Sequence, residues 1–446
     1  MTDDTGRRHC RAPRTIVRVT TPVARRGLDP AAVRAHFPAL ERLHHGRPVA
    51  YLDGPGGTQV PRACIDAISA HLAAGTANTH GAFAASSETD ALVADAHAAT
   101  ADFLGAHDPA EIVFGPNMTT LTLALSRALG RDLRPGDEVV VTRLDHDANV
   151  APWLAVAADR GAIVRWVDVD ERDCTLDLDG LADVLSGRTR IVAFGLASNA
   201  VGTLTDAGRA IELAHAAGAV AYVDAVHAAP HLPINVSDLR ADFLACSPYK
   251  FFAPHLGALY GRRELLERLS AYRVRPAGDD LPGKWETGTQ THELLAGLLG
   301  TYDYLASLGR AYGAAPRDGD RRTALRAAMA SIHEYERGLI GTVLEGLASL
   351  RGLRIYGITD PDRLAERVPT VAFTLAGHHP RAVAEHLATR GISAWDGDYY
   401  AYELIRRLGL ADQGGMVRIG LVHYNTKAEA ERLVDALGEL VTLAPR

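Results

Sequence analysis

Lys250 stands in the run Asp242-Phe-Leu-Ala-Cys-Ser-Pro-Tyr-Lys-Phe-Phe-Ala-Pro-His-Leu-Gly257. Upstream, Ala221-Tyr-Val-Asp-Ala-Val-His-Ala-Ala-Pro-His231 places Asp224 at the tip of an apolar run. An acid at the C-terminal end of one strand, followed by a second short strand carrying a single lysine, suits pyridoxal 5'-phosphate (PLP). Lys250 would hold the aldehyde as a Schiff base, and Asp224 would keep the pyridine nitrogen protonated so that the ring draws electrons. A lone lysine after a turn is ordinarily a solvated side chain. The assignment therefore rests on further segments that suit the same cofactor in chain order.

The first is Phe114-Gly-Pro-Asn-Met-Thr-Thr-Leu-Thr122, which runs from the strand Glu111-Ile-Val-Phe114 into a helix. Backbone N–H groups of Met118 and Thr119 at that helix start, with the Thr119 hydroxyl, suit a phosphate dianion. In Arg143-Leu-Asp-His-Asp-Ala-Asn-Val-Ala-Pro-Trp153, His146 can lie flat on a planar ring while Asn149 fixes the turn. Asn199, in Ala197-Ser-Asn-Ala-Val-Gly202, and His227 suit hydrogen bonds to a phenolic oxygen. The glycine-containing loop Trp285-Glu-Thr-Gly-Thr-Gln290 suits closure over a phosphate through Thr289.

These residues need a scaffold that brings several loops to one edge. From about Asn117 to Leu308 the pattern alternates between strands and helices. Strands are predicted at Glu138–Thr142, Ile163–Val167, Ile191–Gly195 and Val220–Val223, with Ala-rich helices such as Ala207–Ala217 between them. Such alternation is the signature of an α/β domain with a mostly parallel sheet and a site at the carboxyl ends of its strands. A short helix is predicted from Asp29, its cap, with Pro30 in the first turn. Arg321–Leu350 reads as a long amphipathic helix leading into a smaller α+β unit, with strands at Thr370–Thr374 and Val417–Gly420. Arg418 lies on the latter among apolar neighbours, where a guanidinium can grip a carboxylate through two parallel donors.

The 446 residues suffice for two domains, and 47% hydrophobic with 23% charged residues is ordinary for a soluble enzyme. A net charge of −7 argues against nucleic acid or an anionic membrane as the main partner. No apolar stretch is long enough to span a bilayer. The cysteines, Cys10, Cys64, Cys174 and Cys246, form neither a CxxC pair nor a metal pattern, so they read as reduced thiols in a cytoplasmic protein. Residues 1–27 are rich in arginine without a secretory apolar region and read as a mobile arm.

Taken in order, these motifs resemble the class V aminotransferase group of fold-type I PLP enzymes, the branch that holds cysteine desulfurases and isopenicillin-N-epimerase-like proteins. The resemblance runs from Tyr51-Leu-Asp-Gly-Pro-Gly-Gly-Thr58 to Val422-His-Tyr-Asn-Thr426. It implies a large PLP-binding domain over 28–308 around a mostly parallel, seven-stranded sheet, with 28–60 packing partly on a small α+β domain over 309–446. It implies that Lys250 is the Schiff-base lysine, Asp224 the pyridinium partner and His146 the stacking residue. Asn199 and His227 would lie near the phenolic oxygen, and Met118, Thr119 and Ser247 would bind the phosphate. Arg418 would hold the substrate carboxylate, while Asn78, His80, Trp395 and Tyr400 would line the substrate mouth. Thr289 would reach the partner's phosphate site in a homodimer.

Two departures from the desulfurase pattern bear on the reaction. Tyr400 falls about where a desulfurase carries its sulfur-accepting cysteine, and no cysteine occurs in 309–446; Trp395 also replaces an arginine often found there. Tyr249 precedes Lys250 where desulfurases usually place histidine. The expected function is a PLP-dependent enzyme acting on an amino acid through an external aldimine and a Cα carbanion. β-Elimination of a cysteine S-conjugate, a C–S lyase reaction, leads. An aminotransferase, an epimerase or decarboxylating oxidative deaminase, and a catalytically silent PLP-fold scaffold stand as alternatives.

Overall fold

The computed structural model describes residues 26–443, so most of the expected N-terminal arm lies outside the described residues. The strands β1 (Ile112–Gly115), β2 (Glu138–Thr142), β3 (Ile163–Val167), β4 (Thr189–Gly195), β5 (Val220–Asp224), β6 (Phe243–Cys246) and β7 (Gly257–Gly261) form one sheet. Its spatial order is β1-β7-β6-β5-β4-β2-β3. Only β7 runs against its neighbours, and the other adjacent pairs are parallel. The fold is thus the α/β class with a mostly parallel central sheet that the alternating pattern predicts.

Period-two alternation decides which side chain faces which layer. Val140, Val192, Phe194, Val223 and Leu244 belong to one hydrophobic core, whereas Val139, Val141, Ile191, Tyr222 and Phe243 belong to another on the opposite face. Both faces are covered, as a parallel sheet requires. The first core also takes in residues of α2 (Ala84–Leu104), α5 (Ala207–Ala216) and α6 (His292–Ala311), and α6 packs along α1 (Arg62–Ala74). On the other face lie α3 (Met118–Gly130) and α4 (Ala151–Arg160). The cap of α3 is Asn117, whose Oδ1 accepts the N–H of Thr120 at 2.9 Å.

One expectation needs correcting. Lys250 is not carried by a strand. Pro248 has no N–H for the ladder, so β6 stops at Cys246 and the chain enters a single 3-10 turn, Pro248–Lys250. Lys250 therefore sits beyond the strand ends, near the edge where Asp224 terminates β5.

The long helix α7 (Arg321–Ala348) is capped by Asp320 and leads to a second sheet. Its strands β8 (Leu353–Tyr356), β9 (Thr370–Leu375), β10 (Trp395–Gly397) and β11 (Met416–Gly420) are antiparallel in the order β8-β9-β11-β10. Together with α7, α8 (Pro380–Thr389) and α9 (Lys427–Leu443) they enclose a separate core. The early segment Ala50–Tyr51 pairs in parallel with Ile392–Ser393, and Asp53 bridges Gly420. The chain thus stitches its N-terminal part to this second sheet before entering the first.

Candidate active site

A cavity of ≈ 440 Å³ opens between the carboxyl ends of β4–β6, the start of α3, and the β10–β11 edge of the second sheet. Lys250, Asp224, His146, Met118, Thr119, Asn199, His227, Ser247, Trp395, Tyr400 and Arg418 all line it. Segments far apart in sequence thus converge as the motif reading predicts.

The Lys250 amine is largely enclosed and donates to the carbonyl of Pro55. Loss of water, and then the charge of Arg418, lower it to about 7, against the opposing pull of Asp224 and Asp53. Asp224 accepts the Val226 N–H at 2.8 Å. Burial pushes its carboxyl up to about 6, and the nearby Lys250 works in the other direction. An acid so placed gains most from a cationic ring nitrogen.

His146 accepts the Ala148 N–H on Nδ1 at 3.0 Å, which leaves its Nε2 protonated and the ring neutral. Burial, Lys250 and Arg418 hold its pKa down at about 4. Its loop is fixed by a residue the sequence reading missed: Asp145, which is buried and accepts N–H groups from Gly195 at 2.6 Å and from Asn149 at 3.3 Å. Asn149 in turn accepts the Trp153 indole N–H at 3.1 Å, so it does fix the turn. Burial and the charge of Asp224 raise the Asp145 pKa well above the carboxylate range. No spacing marks Asp145 in advance, because an acid before a loop histidine is commonplace.

Asn199 spends one amide N–H on the Tyr399 carbonyl at 2.8 Å, and its Oδ1 is buried without a partner. His227 is buried with Nε2 2.9 Å from the Thr370 hydroxyl, and burial drives its pKa far down. At the start of α3 the amides of Met118 and Thr119 belong to the first helical turn, which has no acceptors of its own. Gly257 permits this approach, since a Cβ there would lie 2.4 Å from the Asn117 carbonyl carbon and 2.8 Å from the Met118 nitrogen.

Arg418 is buried, donates to the Asn199 carbonyl at 2.8 Å and lies 4.3 Å from the Tyr399 ring centre. Its Nε has no partner, and among the described residues no carboxylate lies within ion-pair distance. Burial lowers its pKa to about 10. A buried cation in this state is costly unless an anion arrives.

The turn at Tyr399–Tyr400 has φ of 54° and 58°, uncommon for tyrosine. It is held by the Asp147 N–H on the Tyr400 carbonyl at 2.7 Å, by Asn199, and by the Tyr399 hydroxyl on the Met416 carbonyl. Tyr400 stacks on His146 with ring centres 5.2 Å apart. Tyr249, also on the cavity wall, stacks on His255 at 4.6 Å.

Three expected site residues do not join this cavity. Thr289 is exposed: Glu286 accepts the Phe114 N–H at 2.7 Å and His97 Nε2 at 2.9 Å, which fixes the loop base while Thr287–Thr289 project outward. Asn78 and His80, expected at the substrate mouth, are exposed as well and do not line this cavity. Their turn folds onto the start of α2, where Ser86 Oγ meets both the Asn78 carbonyl and the Gly81 N–H at 2.6 Å. The His80 side chain is 89% exposed beside Asp90.

An enclosed lysine, a buried carboxylate, a neutral imidazole and a free helix start at the strand ends of an α/β sheet define a fold-type I PLP-dependent enzyme. The chain belongs to the aminotransferase class-V family, whose model matches residues 50–316 and 322–433. It is 33% identical to probable cysteine desulfurase 1 of Mycobacterium leprae, spanning 92% of this chain and 65% of that protein. It is 32% identical to the probable cysteine desulfurase of a Synechocystis strain, spanning 91% and 94% respectively. The crystal structure of the Escherichia coli cysteine desulfurase CsdA superposes with a TM-score of 0.78 at 30% identity, covering 94% of this chain and 100% of that one. PLP is the cofactor of this family, and the cavity's donor set fits it: an enclosed amine bonded, among the described residues, to a main-chain carbonyl, a buried acid raised by burial, and the orphaned Asn199 Oδ1.

Proposed function

We propose that this protein is a C–S β-lyase that removes the thiol from a cysteine S-conjugate. The observation that carries the reading is Tyr400: it stands on the cavity wall, in a stretch from 309 to 446 that has no cysteine. A phenol ionises near pH 10 and cannot carry sulfane sulfur, so sulfur would leave with its substituent instead of passing to the protein.

PLP bound here supplies an electron sink for charge developing at the substrate Cα. The chain's residues do the rest. Lys250 would hold the cofactor aldehyde in the resting enzyme, and Asp224 would keep the ring nitrogen protonated. Met118, Thr119 and Ser247 would hold the phosphate, with Asn199 and His227 placed for the phenolic oxygen. Arg418 takes the substrate carboxylate and so fixes which Cα bond faces Lys250. The Lys250 amine would take the Cα proton, as an amine held near 7 can do at neutral pH. The Cβ–S bond then breaks, the thiolate leaves with the electron pair, and addition of water yields pyruvate and ammonia without net oxidation. His146, held neutral, would offer the cofactor the ring face that Tyr400 does not cover.

A homodimer accompanies this reading: the projecting Thr287–Thr289 loop on its anchored base is suited to reach a second copy's phosphate. A cytoplasmic setting agrees with the unpaired thiols.

The test is incubation of holoenzyme with free cysteine and a panel of S-conjugates, scoring thiol, pyruvate, ammonia and keto acid by mass spectrometry. Thiol and pyruvate in equal amounts are expected, and Lys250→Ala should abolish both together with the borohydride-reducible lysine adduct. Keto acid retaining its sulfur substituent would show transamination instead.

A further inference from the structure

We propose that the cavity mouth selects amino acids whose side-chain substituent carries a positive charge, with Asp398 as counter-charge and Trp395 and Tyr400 as aromatic walls. The expectation of C–S cleavage rests on the lyase reading above; the charge preference does not.

The argument starts from Arg418. Its buried, unpartnered Nε marks the cavity floor as the place for an anion, and a carboxylate is the anion that an amino-acid substrate brings. Trp395 lies directly opposite Arg418 across the β10–β11 ladder. Directly opposed residues of an antiparallel pair project to the same face with their Cβ atoms about 5 Å apart. A substrate held by its carboxylate on Arg418 therefore has the indole as neighbour, and its substituent runs out along the wall formed by Trp395, Asp398 and Tyr400.

That wall has two properties. Its rings face water, with Trp395 52% and Tyr400 69% exposed, although both line the cavity. Its charge is negative. Asp396 is matched by Arg381 at 3.2 Å and Glu403 by Arg143 at 2.6 Å. Asp398 and Asp147, among the described residues, have no basic side chain within 4.0 Å. Asp398 accepts the Tyr400 N–H at 2.9 Å on Oδ1, which leaves Oδ2 for a ligand. The cavity cations, Lys250 and Arg418, are both committed to the amino-acid end. Exposed aromatic faces next to an unmatched carboxylate favour an ammonium, guanidinium or quaternary ammonium group over a neutral or anionic one.

The experiment compares three cysteine S-conjugates of similar size on the holoenzyme. They bear a 2-trimethylammonioethyl group, its neutral isostere 3,3-dimethylbutyl, or a 2-carboxyethyl group. Both kcat/KM and the equilibrium change in cofactor absorbance are recorded. The cationic compound should exceed its neutral isostere by roughly tenfold, with the carboxyethyl compound weakest. In Asp398→Asn, which keeps the carbonyl that accepts the Tyr400 N–H, the cation-to-neutral ratio should collapse toward one. Equal values for the two isosteres, or a ratio unchanged in Asp398→Asn, would overturn the proposal. If the absorbance change keeps the charge order while no thiol is released from any conjugate, the lyase reading fails and the charge preference stands.

Discussion

The guanidinium of Arg418 and the amine of Lys250 share one cavity, and after burial the charge of Arg418 is the largest influence holding the amine near 7. Burial and the neighbouring cation both disfavour the ammonium, so the neutral amine that captures an aldehyde predominates above about pH 7. Capture of PLP by the apoprotein should accelerate about tenfold per pH unit below 7 and level off above it. Arg418→Met removes one of the two lowering influences and should move the midpoint upward. Stopped-flow absorbance across pH 5–10 reads both curves; a wild-type midpoint near the ordinary lysine value would contradict the geometry.

Arg418→Ala should raise KM for amino acids more than it lowers kcat. A charge-assisted carboxylate interaction is worth about 2 kcal/mol, or roughly 30-fold in KM. Steady-state kinetics with an amino acid and its decarboxylated amine separate the cases. The variant should handle both alike, whereas the wild type should prefer the acid.

Gly257→Ala should weaken cofactor affinity without touching any group that bonds to it. The added methyl would lie 2.4 Å from the Asn117 carbonyl carbon and 2.8 Å from the Met118 nitrogen, and backbone is what must yield. The start of α3 is thereby pushed off its place, and the first-turn amides no longer converge on the phosphate. Equilibrium dialysis against PLP should show the loss, with far-ultraviolet circular dichroism unchanged.

Replacing all four cysteines should leave turnover largely intact, and free cysteine should leave no persulfide on the protein. Cys64, Cys174 and Cys246 are buried, and desolvation raises each thiol, to about 11 for Cys174 and about 12 for Cys246. Cys10 lies outside the described residues. Intact-mass analysis during turnover checks this; a persulfide on any of the three forming at the rate of turnover would restore a desulfurase mechanism.

Much of the first sheet was legible because its rules are local. Runs such as Glu138–Thr142 and Val220–Val223 are rich in valine with a polar residue at their end, and Asp29 caps the helix that it was expected to cap. Motif order brought most of the named site residues to one cavity. The strands β7, β8 and β10 were not foreseen: Gly257-Ala-Leu-Tyr-Gly261 lacks alternation, and Trp395-Asp-Gly397 is too short to declare itself. Placing Lys250 in a strand overlooked what Pro248 does to a ladder. Asp145 is held by Gly195 from a different strand end, and the Tyr399 carbonyl by Asn199, 200 residues away, which no spacing records.

The stitching of the N-terminal segment to the second sheet sets an order of assembly. The strands of the first sheet can pair as they leave the ribosome, since their partners lie within the same stretch of chain. Ala50–Tyr51 cannot, because Ile392–Ser393 emerge only after the whole first sheet, and Asp53 waits for Gly420. Pro55, whose carbonyl receives the Lys250 amine, is tethered between those late pairings and α1. A nascent chain stalled before β11 would therefore display Lys250 and Asp224 on a formed sheet with one wall missing, and the cavity closes only when the last strand arrives.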